Sequence, residues 1–163
     1  MDSETRKRLE QEAHRLVLAE SDMRQASAAA SHLRAFGAEM NGNAERALWT
    51  GMIVSYARPF LSSNKIGAVG GRLARPDEPV LRPLHSELKR LRRELAAHND
   101  VTSDREAVDT AAMLGLGSGR FGESWRTFNT NVLPAVERLA DTQEARFRRR
   151  REDVQRQLSS DGH

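Results

Sequence analysis

The chain should fold as an all-α bundle of four to five helices, and three features of the sequence say so. β-branched alternation is almost absent, while apolar residues recur at steps of three, four and seven. Glycine and proline gather in a few clusters that punctuate these periodic stretches. The length, 163 residues, suits one helical domain spanning 1–163 and hardly two. A chain of this size buries roughly two-thirds of its unfolded surface, so it needs no covalent staples.

The first helix is expected over 3–38. Leu9, Ala13, Leu16, Met23, Ala30 and Leu33 recur at helical steps, and the alanines at 28–30 favour helix and permit close packing. Gly37 and the Asn41-Gly42-Asn43 cluster end it. A second helix is expected over 44–61, with Leu48, Met52, Ser55, Tyr56 and Phe60 inward and Pro59 in its last turn. Residues 62–80 hold three of the 11 glycines and two of the five prolines, and read as a long loop of the kind that is often functional. The third helix, 82–98, is the clearest. Leu84, Leu88, Leu91, Leu95 and His98 form one stripe, and Pro83 takes a favoured place in the first turn. A short helix over 103–113 precedes a loop marked by Gly115, Gly117, Gly119 and Gly122. The last helix spans 124–158, with Trp125, Phe128, Val132, Val136 and Leu139 inward and Pro134 implying a kink or restart. The charged segment 143–163 has few large apolar residues and is expected to protrude or to pack against a partner.

Several chemistries are excluded at once. No cysteine is present, so there are no disulfides, thiolate metal sites or cysteine nucleophile. His14, His32, His85, His98 and His163 show no paired metal-ligand spacing, and no metal or other cofactor is expected. Gly117-Ser118-Gly119-Arg120-Phe121-Gly122 is formally G-x-G-x-x-G, but no strand precedes it, so it reads as a hinge. No run of about 18 apolar residues could span a membrane, and the polar start MDSETRKRLE has no signal-peptide core. A cytoplasmic protein is the expectation.

The charge balance, 26 basic against 23 acidic residues, is too even to demand a nucleic-acid partner. Its make-up says more: three of the basic residues are lysines and 23 are arginines, whose forked donors suit phosphates. Aromatics are scarce, which excludes a base-stacking sheet. Arg146, Arg148, Arg149, Arg150 and Arg151 place five charges in six residues. They form either a solvated helix face, with Glu144 and Glu152 pairing Arg148, or a weak RNA-phosphate patch.

The third helix closes on Arg93-Glu94-Leu95-Ala96-Ala97-His98-Asn99-Asp100. An imidazole titrating near neutrality moves protons, and a guanidinium holds a charged phosphorane-like transition state. Together Arg93 and His98 suffice for metal-free RNA cleavage. A five-residue step separates them by about 140° on a regular helix, so they converge only at a helix end or between two facing copies. The plainer reading is a helix C-terminus whose basic groups meet the negative end of the dipole.

These residues resemble the HEPN superfamily (higher eukaryotes and prokaryotes nucleotide-binding), whose hallmark is R-x-x-x-x-H near a helix end with a polar residue after the Arg. Arg93, Glu94 and His98 match those positions. Residues 44–100 also look like bacterial HEPN-like proteins in carrying Tyr56-Ala57-Arg58-Pro59-Phe60 before a loop, then Leu84-His85-Ser86-Glu87-Leu88 and Leu91-Arg92-Arg93 up to Ala97-His98-Asn99-Asp100. The resemblance implies a dimeric helical bundle with two Arg–His pairs meeting in a cleft. It also implies a metal-independent endoribonuclease, acting as a toxin with an antitoxin or as an effector in phage defence. Other members are non-catalytic binding modules. Arg93 and His98 are then the expected catalytic pair, with Glu94, Asn99, Asp100, Tyr56 and Arg58 in supporting places. Asp100 stands where nucleotidyl-modified toxins carry Tyr, so that modification is not expected.

Overall fold

The computed structural model describes residues 1–62, 67–99 and 120–160. Among them the chain is all α-helical, with short 3-10 turns and no strand. Helix α1 runs Ser3–Phe36, α2 Gly42–Ala57, α3 Arg82–Asn99 and α4 Arg120–Ser160. The expected short helix over 103–113 and Gly115, Gly117 and Gly119 lie outside the described residues. Gly122, expected in a loop, belongs to the first turn of α4.

Side-chain caps open the first two helices. Asp2 accepts from the Thr5 backbone N–H at 2.8 Å, and Asn41 accepts from that of Ala44 at 2.9 Å, satisfying donors that a helix start leaves unpaired. The second helix stops at Ala57 because Pro59 supplies no N–H; Arg58–Phe60 continue as a 3-10 turn.

The core of α1 is a seam of Leu9, Leu16, Ala19, Met23, Ala26, Ala30 and Leu33, alternating steps of three and four after the first heptad. Alanines at the rungs bring neighbouring helices close. Helix α4 lies antiparallel along α1, as their ion pairs show: Glu12 meets Arg150, Arg24 meets Glu144 and Arg34 meets Glu137. Helix α2 packs on another side of α1, and α3 packs on α2.

Two expectations about the last helix are corrected. It passes through Pro134 without a restart, with Pro134 on its exposed side, where a helix tolerates the lost backbone bond. The described part of the charged segment, 143–160, packs within the bundle. Gln143, Phe147 and Val154 are fully buried against the rest of the bundle. Burial of a Phe or Val side chain contributes about 1.5–3 kcal/mol, enough to hold an otherwise polar helix in place. Gln143 and the arginine stems fill the rungs where large apolar residues are missing.

The 62–80 loop is also more ordered in its described part than its glycines suggested. It contains 3-10 turns at Gly71–Ala74 and, at its end, Pro79–Leu81. Gly71 has φ +63°, a conformation that side chains rarely adopt. No helix among the described residues is long and apolar enough to cross a membrane.

Candidate functional site

Helix α3 carries the Arg–His motif in its last two turns. Arg93 is exposed, and no carboxylate engages it among the described residues. The backbone stays helical through Asn99, so the register positions of Arg93 and His98 remain about 140° apart. One copy of α3 does not bring them to one face. The side chains of Glu94, His98 and Asn99, and Asp100 altogether, lie outside the described part of the structure.

The two segments that carry the family resemblance meet in the core. Tyr56 Oη lies 2.7 Å from His85 Nδ1, with both side chains buried. Phe60 stacks edge-on against His85 at 4.7 Å and meets Phe147 at 6.0 Å. Burial pushes the Tyr56 phenol far up, with Arg146 opposing, so it stays a protonated donor. His85 is lowered to about 4, chiefly by burial and then by the nearby charges of Lys89 and Arg75. A neutral ring accepting from Tyr56 at Nδ1 is the state this arrangement favours.

Tyr56, expected beside the catalytic pair, is thus fully buried and sets the attitude of α3 on α2 without facing a substrate. Arg58 extends the same framework. Its guanidinium donates to Asp22 Oδ1 at 2.8 Å, tying the end of α2 to α1. Burial raises the Asp22 carboxyl, with Arg58 pulling it down.

The expected RNA-binding run is mostly occupied within the fold. Arg146 is 7% exposed and donates to the carbonyls of Arg72 and Arg75, both at 2.6 Å, and to Gln143 Oε1 at 2.5 Å. Arg150 donates to Glu12 and Arg151 to Glu20, while Arg148 pairs with Glu144 one turn away. Arg149 donates to the Ala145 carbonyl and stays exposed. The run therefore works as a stitch between α4, α1 and the loop, and Arg146 is withdrawn from any phosphate patch. Side-chain spacing on one helix could not show this, because the acceptors lie on α1 and on loop carbonyls.

Asp22, Gln143 and the His85–Tyr56 bond were the polar features that sequence reasoning missed. Their signal was polar residues at inward helical positions, which reads as ordinary surface until a partner is known. Comparison of the chain with protein-family models, with curated proteins and with solved structures finds no match.

The lowered His85 makes stability pH-dependent. The unfolded imidazole takes a proton below about 6.5, whereas the folded one resists down to about 4. Stability present above pH 6.5 is therefore lost as pH falls through that window, at up to about 1.4 kcal/mol per pH unit. Urea unfolding of wild type and His85→Asn between pH 7 and 4 isolates this contribution. The amide oxygen still accepts from Tyr56 but does not titrate, so the variant's slope should be shallower; equal slopes would contradict the assignment.

Proposed function

We propose that this chain is a metal-independent endoribonuclease of the HEPN type, serving as a toxin or a phage-defence effector. The observation that carries the reading is the Arg93–His98 spacing at the end of α3, with Arg93 exposed and without a counter-charge among the described residues. His98 acts as general base or acid toward the 2′-hydroxyl or the leaving oxygen, and Arg93 stabilises the charged phosphate. Because the two positions face apart on one helix, a symmetric homodimer supplies the convergence, each copy facing the other across a shared cleft. The Tyr56–His85 contact holds α3 on α2, and Arg58–Asp22 ties the end of α2 to α1 beneath it. A rigid helix is the kind of platform that chemistry at sub-ångström tolerance requires.

Cleavage of single-stranded RNA in EDTA tests the reading directly. The product should end in a 2′,3′-cyclic phosphate, and DNA, which lacks the attacking hydroxyl, should survive. Absence of cleavage leaves the same fold as a non-catalytic binding module, and cleavage that needs a metal ends the metal-independent mechanism. Light scattering should give a dimer at micromolar concentration; a monomer alone would remove the convergence on which the mechanism depends.

A further inference from the structure

We propose that Arg75 and Lys89 extend from Arg93 as a phosphate track along one side of α3, gripping successive phosphates of one RNA strand beyond the scissile phosphate that Arg93 holds. The proposal rests on the ribonuclease reading of Arg93 and adds two residues which that reading does not use. Lys89 and Arg93 are four residues apart and so neighbours on the surface of α3, about 5–6 Å between Cβ atoms. The loop brings Arg75 to the same side. Arg82 of α3 donates to the Pro76 carbonyl at 3.3 Å, and Ala74 approaches His85, so residues 74–76 lie over the first half of α3. The Arg146 guanidinium then pins the Arg75 backbone from below.

Three cations gathered this way repel one another, and the described carboxylates nearby do not relieve them. Asp77 pairs with Arg146, Glu78 with Arg138 and Glu87 with Arg90. Among the described residues, Arg75, Lys89 and Arg93 have no acidic partner, unlike Arg90, Arg138 and Arg146 nearby. Lys89 registers the crowding: half-buried, its ammonium is lowered by burial first, then by Arg93 and Arg75. A like-charged i,i+4 pair destabilises a helix slightly. A run of phosphates supplies the missing charge and turns that repulsion into attraction. Spacing along α3 suits a flexible single strand, whose phosphates can be met one cation at a time.

Binding of a 2′-O-methyl RNA 12-mer, which cannot be cut, tests the track by fluorescence anisotropy from 50 to 300 mM salt. Arg75→Gln and Lys89→Gln should each weaken binding several-fold and flatten the log–log salt slope by about 0.7. Arg8→Gln, on the exposed first turns of α1, should leave the slope unchanged. Because both variants relieve repulsion, their melting temperatures should not fall, which separates lost binding from lost folding. An unaltered slope in both variants overturns the track, as does polyglutamate competing as well as RNA of equal charge, which would mark an acidic-protein surface. Unmodified RNA separates the two readings. Binding through Arg75 and Lys89 without cleavage keeps the track and ends the ribonuclease. Cleavage with unaltered slopes does the reverse.

Discussion

His98→Ala should lower RNA cleavage by roughly 10²- to 10⁴-fold, the usual contribution of a positioned general acid or base, with RNA affinity nearly intact. The imidazole's part is to move a proton in the transition state, which binding of the ground state does not require. Arg93→Ala should fail differently. A guanidinium attracts phosphate before the reaction begins, so both affinity and turnover should fall. Arg93→Lys should rescue poorly, because one ammonium does not replace a planar fork. Full activity in His98→Ala would end the assignment. So would two alanine variants that merely lose helix-end stability, about 1 kcal/mol or less, beside a wild type that cleaves nothing.

Arg146→Ala should be among the most destabilising single changes outside the apolar core, at about 2–4 kcal/mol. The ion pair with Asp77 is not the reason, since Asp77 is 71% exposed and such pairs contribute little. The larger effect comes from the Arg72 and Arg75 carbonyls and Gln143 Oε1, which Arg146 satisfies. A buried polar group left without its partner costs about 1–3 kcal/mol, and a loop that opens to water recovers part of that. Arg146→Lys should recover less than half, because a single ammonium cannot reach acceptors spread around a fork. Urea unfolding measures the loss, and trypsin should cut after Arg72 or Arg75 faster in the variant. A midpoint shift within error, with unchanged proteolysis, would show that the loop is held by other contacts.

The helices themselves were legible. Observed α3 differs from the expected 82–98 by one residue, and α1 from 3–38 by two, because apolar periodicity and glycine clusters are local properties. The family resemblance singled out Tyr56, Phe60 and His85 as parts of two segments, and the fold gives the physical content: they meet in one buried cluster. Other features were hidden. Ala19 and Ala26 complete the α1 seam but look unremarkable in a chain rich in alanine. Gln143 and Arg146 lie at inward positions of α4, where a polar residue is uninformative until its acceptor is known.

Sequence alone therefore determined the fold class, the order of the helices and the Arg93–His98 spacing, since each depends on residues close together in the chain. Tertiary structure decided where the arginines point their charge. Arg150 and Arg151 reach across to Glu12 and Glu20, Arg146 turns inward to loop carbonyls, and Arg75 comes within electrostatic reach of Lys89. A guanidinium on a long, flexible stem is committed only by the acceptors within its reach. Those acceptors arrive from segments about 70 to 140 residues away, brought there by burying the apolar seam of α1 against α4.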